Sequence, residues 1–199
     1  YEADDLFGTF ARQGEKSGLA TYIVTADADA YQLLSPQVNI LITRRGITQL
    51  EELDVKKFKE IYGLAPHQWV DFKALKGDSS DNIPGVPGIG KKRALRLLGE
   101  YGSLEQVLSH AQNIPGKMGE NLATYAEQAL MSKKLATICA NIPLGLSLQS
   151  CCLKEPDWDA LLQVFNKLEL KSLAKKIPEL ARRYKKTVGT VETAINFQE

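Results

Sequence analysis

The stretch Gly77-Asp-Ser-Ser-Asp-Asn-Ile-Pro-Gly-Val-Pro-Gly-Ile-Gly90 constrains the fold more than any other part of the chain. Pro84 and Pro87 alternate with Gly85, Gly88 and Gly90, a density that no helix or strand interior tolerates. The prolines stiffen the turn. The glycines permit backbone shapes closed to other residues and close approach by a ligand. Lys91-Lys-Arg-Ala-Leu-Arg-Leu-Leu98 follows directly, and its spacing predicts a helix over about 91–99. The free N–H groups of its first turn face the loop and attract phosphate. Lys91, Lys92, Arg93 and Arg96 add charge without base-reading geometry, while Ala94, Leu95, Leu97 and Leu98 supply the apolar face. A mononucleotide loop is excluded. Gly85 to Lys91 imitates G-x-x-x-x-G-K, but Lys92 stands where Ser or Thr is required, and no strand precedes. A helix–hairpin–helix that holds duplex phosphates fits better. A plain Gly/Pro linker before a surface helix is the alternative.

Upstream the texture differs. Residues 2–13 predict a helix, with Glu2, Asp4 and Asp5 in its first turn. Thr21–Thr25 is a short β-rich run that predicts a buried, parallel strand, and residues 38–43 predict a second one after a loop at 27–37. A turn at Arg44-Arg45-Gly46 leads to another extended piece from Ile47. Residues 54–62 and 66–76 predict helices, the second started by Pro66 and ended by Gly77. Beyond the Gly/Pro segment the pattern is helical, at 103–110, 117–131, about 132–138, 157–166 and 171–186. The order implies an α/β layer over residues 1–77 and a mostly helical part over 78–199.

Seven carboxylates in three clusters stand at element ends: Glu2, Asp4 and Asp5; Asp27 and Asp29; Asp78 and Asp81. In an open α/β sheet the site lies beyond the carboxyl ends of the strands, and Asp27 is two residues past one. In extended chain Asp27 and Asp29 point to one side. Asp78 and Asp81 share a face if their stretch turns helically. Carboxylates packed together repel unless cations neutralise them. Hard oxygen ligands with no His or Cys select Mg²⁺, Mn²⁺ or Ca²⁺. Each cluster taken alone reads more readily as a cap or a loop; their company with the Gly-rich turn favours the metal reading.

Charge distribution would suit that division, although charge alone reads more readily as chance asymmetry on solvated faces. Residues 1–81 carry 13 acidic and 9 basic side chains, a balance of −4, and residues 82–199 carry 11 and 16, a balance of +5. Cys139, Cys151 and Cys152 have no zinc-type spacing and read as reduced cysteines of a cytoplasmic protein. No apolar run reaches the roughly 20 residues of a membrane span. Trp69 and Trp158 read as core rather than base-stacking platforms. Lys175, Lys176, Arg182, Arg183, Lys185 and Lys186 read as the solvated face of a helix.

Glu2-Ala-Asp-Asp5, Val24-Thr-Ala-Asp-Ala-Asp-Ala-Tyr-Gln-Leu33 and Gly77–Gly90 resemble, in this order, the 5′–3′ exonuclease domains of bacterial DNA polymerases I, in the flap-endonuclease superfamily. The likeness covers about residues 1–145 well and the helical tail weakly. It implies a PIN-like/Rossmann-like α/β nuclease core, here partial, joined to a helical domain with a helix-three-turn-helix at about 78–99. It implies cleavage of 5′ flaps and of nicked or gapped duplex DNA, in replication and repair. Two Mg²⁺ (or Mn²⁺) would be held, the first by Glu2, Asp4, Asp5 and Asp27 and the second by Asp29, Asp78 and Asp81. A K⁺ on backbone carbonyls of the Gly-rich turn is implied as well.

Two local departures stand out. Ala26 replaces a usual Gly, and Ala28 replaces a usual Lys or Arg, which implies altered loop flexibility or a lost phosphate contact rather than lost metals. The family's first strand, with two more aspartates and the residues that clamp the flap, would precede Tyr1. Two readings therefore stay open: a two-metal 5′ nuclease, monomeric or one domain of a longer polymerase chain, and a non-catalytic, structure-selective DNA-binding module.

Overall fold

A computed structural model describes residues 1–45, 49–152 and 154–185. The chain forms two compact units, Tyr1–Leu148 and Gln149–Glu199. All the predicted site residues belong to the first.

The first unit opens with helix α1 (Ala3–Lys16), which starts at Glu2 in extended conformation and buries Gly8 and Ala11. Strand β1 (Thr21–Thr25) pairs in parallel with β2 (Val38–Arg45), Thr21 facing Val38 and Thr25 facing Ile42. Strand β3 (Gln49–Leu53) then pairs antiparallel with β2, in the sheet order β1-β2-β3. The parallel pairing is as predicted, but the strand is not buried: Ile23 faces the core while Tyr22 and Val24 are exposed, so only one face is covered. The turn predicted at Arg44-Arg45-Gly46 does not begin at Arg44, because Arg44 and Arg45 are still part of β2; Gly46 and Ile47 lie outside the described residues. Residues 28–33, expected as loop, form a 3₁₀ helix capped by Asp27, whose carboxylate accepts from the Asp29 N–H. The extended-chain argument for Asp27 and Asp29 therefore fails: a short polar side chain able to close a local turn overrides alternation.

Helices α2 (Val55–Tyr62) and α3 (Trp69–Lys76) follow, α3 preceded by a single 3₁₀ turn at Pro66–Gln68. Tyr31, Phe58, Tyr62, Trp69 and Phe72 stack into an aromatic core, with Trp69 and Phe72 4.9 Å apart between ring centres. Trp69 is core, as expected.

Helix α4 (Lys91–Tyr101) starts at Gly90 and stops at Gly102, which has a φ of 84°. Helices α5 (Leu104–Ser109), α6 (Lys117–Thr124) and α7 (Ala126–Ala136) complete the unit. The break predicted near residue 131 falls instead at Tyr125, where the Thr124 hydroxyl turns back onto the Glu120 carbonyl at 2.8 Å. Helix α3 packs on both α4 and α7, so the chain on either side of Gly77 shares one core.

The second unit contains α8 (Trp158–Lys167) and the short α9 (Lys171–Ala174). Residues 175–176 turn and 177–185 resume as helix, so the single helix predicted over 171–186 is broken. Pro178 explains it: its ring lacks an N–H and would clash with the carbonyl of Ala174. Lys175, Lys176, Arg182, Arg183 and Lys185 are exposed, and Arg183 pairs with Glu179 at 2.6 Å; Lys186 lies outside the described residues. Among the described residues no helix is long and apolar enough to cross a membrane.

Candidate functional site

The loop between α3 and α4 is built on a three-residue apolar period. Ile83, Val86 and Ile89 are buried, while Pro84, Pro87 and Gly88 between them are exposed and Gly85 is half-buried. Its first part closes as a tight turn in which Asp78 and Ile83 exchange both backbone hydrogen bonds at 2.8 Å. The Val86 N–H then donates to the Leu75 carbonyl at 2.9 Å. Asp78 and Asp81 converge because this turn closes, not because the stretch is helical as expected. The Asp78 carboxylate also accepts from the Ser80 N–H at 3.1 Å and the Ser80 hydroxyl at 2.5 Å.

The turn carries Asp78 and Asp81 to Asp29. One carboxylate oxygen from each of the three lies within 4.8 Å of the others. Lys73, on α3, enters from beneath. Its ammonium pairs with Asp29, with Asp78 at 2.7 Å and with Asp81 at 3.8 Å, and the residue is only 4% exposed. Burial pushes the Asp78 carboxyl up, but the Lys73 and Ser80 hydrogen bonds outweigh it and hold it at about 2.

A second acidic group forms at the start of α1. Burial, then the charges of Asp27, Glu2 and Asp5, push the Asp4 carboxyl above its ordinary range. Asp5 behaves differently. One of its oxygens accepts from the Glu2 N–H at 2.9 Å and the other from the Cys139 N–H at 2.8 Å, and these two bonds hold its carboxyl low. The segment around Cys139 is also tied to Gln32, which accepts from the Ile138 N–H and donates to the Ala136 carbonyl. Two open depressions border the acids. Asp27, Asp29, Lys73 and Asp78 line one, Glu2, Asp4, Asp5 and Asp29 line the other, and Asp29 is common to both. The seven predicted carboxylates thus fall into two groups that Asp29 adjoins. Three hard oxygen donors converging without His or Cys suit a divalent cation such as Mg²⁺ or Mn²⁺.

Beyond Val86 the loop turns its outer edge to solvent. Gly88 has a φ of 80°, a conformation that favours glycine. Side chains from α6, α7 and α4 pin the backbone: Ser132 donates to the Pro84 carbonyl, Gln128 to Gly85, Asn121 to Pro87 and Arg93 to Gly88, at 2.8, 3.1, 2.8 and 2.5 Å. Gly88, Gly90, Lys91, Lys92 and Arg93 line a shallow exposed depression at the start of α4. Arg96 is exposed one turn further on. The close approach at Gly85 is made by the chain itself, since a Cβ there would overlap the backbone of Lys76 and Gly77.

Lys73 escaped the sequence reading. Its signal was present: a Lys and an Asp sit among the apolar residues of Trp69–Leu75, five and seven residues before Asp78. The pins Asn121, Gln128 and Ser132 had no local signal, because their partners are 34 to 48 residues away.

Two family models match this chain. One, described as 5′–3′ exonuclease, N-terminal resolvase-like domain, covers residues 1–63; the other, 5′–3′ exonuclease, C-terminal SAM fold, covers residues 64–159. The chain belongs to the 5′–3′ exonuclease family. The DNA polymerase I of Geobacillus stearothermophilus is 42% identical over 196 residues, 98% of this chain and 22% of that protein. The polymerase I of Bacillus caldotenax is 43% identical over 178 residues, 89% of this chain and 20% of its own. The chain thus spans about a fifth of the length of the curated relatives it matches. Among solved structures, a T5 5′-exonuclease with bound zinc superimposes with a TM-score of 0.61 at 24% identity, over 90% of this chain and 60% of that one. The catalytic core of Rad2 in complex with DNA gives 0.52 at 16% identity, over 83% and 55%. These two likenesses establish the α/β nuclease fold with its helical second part.

Proposed function

We propose that this exonuclease-family chain carries a structure-specific 5′ nuclease site that hydrolyses DNA phosphodiesters with two divalent cations, Mg²⁺ first and Mn²⁺ accepted. The observation that carries the reading is the convergence of Asp29 with Asp78 and Asp81 within 4.8 Å, the latter two on the same loop that presents the exposed basic start of α4. Asp29, Asp78 and Asp81 would hold one cation, and Glu2, Asp4 and Asp27 the other. Asp5 joins the second set as the residue that fixes the start of α1, since both its oxygens already accept backbone N–H groups. The cations would supply an activated water and neutralise the charge that develops on the phosphate.

The remaining work belongs to the chain. The free N–H groups at the start of α4, with Lys91, Lys92, Arg93 and Arg96, would hold backbone phosphates of the duplex without reading its bases. Gly88 and Gly90 leave that surface low enough for a phosphate to approach. The division of labour falls near residue 77, inside the first compact unit: residues 1–77 supply the end of the metal-dependent core, and the helical part from 78 grips DNA. Ala28 brings no charge to the acidic depression, so phosphate contact there would come from elsewhere. A K⁺ at the Gly-rich turn fits only by sharing, because the carbonyls of Pro84, Gly85, Pro87 and Gly88 each already accept one side-chain donor. In this reading the chain acts in DNA replication and repair on 5′ flaps and nicked or gapped duplexes, as one part of a longer polymerase.

The test is a labelled 5′-flap duplex incubated with the full-length protein and Mg²⁺. Cleavage should stop with EDTA and with Asp78→Ala plus Asp81→Ala, while binding persists. Cleavage that survives either treatment would sink the two-cation reading. Binding should weaken steeply with salt as counterions are released, and Lys92→Glu plus Arg96→Glu should abolish it. Binding that withstands this charge reversal removes the α4 surface from the interface.

A further inference from the structure

We infer that Lys73 is a built-in counter-ion of the Asp29–Asp78–Asp81 cluster, occupying the place of a divalent cation and leaving it when the cation binds. The inference rests on the proposed metal reading of that cluster. It deepens that reading by naming what the site holds at other times and what tunes its affinity.

The geometry supports exchange rather than coexistence. The three carboxylates share one small volume, and the Lys73 ammonium reaches all three of them. A Mg²⁺ or Mn²⁺ ion bonded to the same oxygens would need that same volume, since its bonds are about 2.1 Å long. The carboxylates sum to −3 and Lys73 brings the site to −2. That residual charge equals the charge of one divalent ion, so the ion meets an attractive site even before the ammonium leaves. Removal of Lys73 restores −3 and also removes the competitor.

The path out is short. The whole Lys73 side chain is buried, but Asp81 at the outer edge is exposed, and the depression that Lys73 lines is open. A lysine has four rotatable side-chain bonds, so its ammonium can swing toward solvent while the stem stays packed. An arginine there would keep the charge, but its planar fork is larger and less easily withdrawn.

Two roles for Lys73 give opposite signs. If Lys73 is a competitor, Lys73→Met tightens divalent binding by at least about tenfold, because one unit of like charge is gone at contact range. If Lys73 merely props the carboxylates in place, Lys73→Met lets them splay and weakens binding. Lys73→Arg should bind the metal no more tightly than the parent.

The experiment is calorimetric titration of the full-length parent, Lys73→Met and Lys73→Arg proteins with MnCl₂, with Asp78→Ala plus Asp81→Ala as reference. Tighter binding in Lys73→Met alone supports the inference. Unchanged or weaker binding in a folded Lys73→Met protein overturns it, while the metal reading survives in the parent. Absence of Mn²⁺ uptake by the parent overturns both. The parent itself gives an arm that depends on no variant: the Nζ and Cε NMR signals of Lys73 should move as Mg²⁺ is added. Signals that stay fixed at saturating Mg²⁺ overturn the inference whether or not Lys73→Met folds.

Discussion

Gly77 and Gly85 meet backbone to backbone. A Cβ on Gly77 would stand 2.6 Å from the Gly85 nitrogen, and one on Gly85 would overlap Gly77 and the Lys76 carbonyl. This approach lets the Asp78–Ile83 turn close and sets Val86 onto Leu75. Gly85→Ala therefore forces the turn apart where two carboxylates are presented. We expect a loss on the order of 3 kcal/mol in stability, as for other backbone clashes that cannot relax, and weaker Mn²⁺ binding. Urea unfolding and a metal titration check it. A Gly85→Ala protein as stable as the parent would show that the approach has slack.

Asp4 and Asp5 are neighbours with opposite electrostatics, and their variants should differ accordingly. Asp4 is crowded by Asp27 and Glu2, so Asp4→Asn relieves repulsion and should leave stability unchanged or slightly raised. Flap cleavage should nonetheless fall roughly a hundredfold or more as a ligand is lost. Asp5→Ala instead strands the Glu2 and Cys139 N–H groups. We expect it to cost about 1–2 kcal/mol, read as a lower midpoint in urea. Equal stability of the two variants would contradict this division.

The sequence disclosed most of the elements and the acid inventory, because both depend on local information, but it missed the 3₁₀ helix at 28–33 and the breaks at Tyr125 and at 175–176. Strand β1 and the start of α4 at Lys91 fall where apolar period and Gly/Pro punctuation put them. The grouping of the acids was not legible. It turns on Asp27 capping its own 3₁₀ turn, which sends Asp29 to the Asp78–Asp81 side. Lys73 was hidden for a different reason. Sequence patterning treats a charged residue as surface, and only its pairing with three carboxylates makes its burial tolerable. The ties from Gln32, Asn121, Gln128 and Ser132 depend on long-range packing that no window of sequence contains.

Asp78 should leave a mark on acid stability. Its carboxyl is held at about 2 against an ordinary 3.8, chiefly by Lys73 once burial has been overcome. A depressed carboxyl stabilises the fold fully above its ordinary value and loses that contribution as pH falls through the folded one. The span corresponds to a contribution on the order of 2 kcal/mol, lost progressively from about pH 4 down to about pH 2. Unfolding in EDTA across that range should show it, and Asp78→Asn should flatten the slope. An unchanged slope would mean that Asp78 gains nothing from its partners.

Asp71 stands two residues before Lys73 on α3 and ties that helix to α7 through Lys133, at 2.6 Å. Asp71 is 2% exposed, and burial pushes its carboxyl up even with Lys133 beside it. Glu105 also pairs with Lys133, at 2.7 Å, but its side chain is half exposed, so Glu105→Gln should cost under about 1 kcal/mol. Lys133→Met removes the only cation paired with Asp71 among the described residues and should cost about 3–5 kcal/mol at pH 8. The sign with pH then reverses relative to Asp78. A carboxyl raised above its unfolded value destabilises the fold above that value, and the penalty is relieved as pH falls and the proton returns. Lys133→Met should therefore recover part of its loss between pH 8 and pH 5, and the apolar pair Asp71→Leu plus Lys133→Met should recover more at both. Urea unfolding of the three variants at the two pH values decides it. A Lys133→Met loss independent of pH would place the cost in lost packing of the lysine stem rather than in the stranded charge.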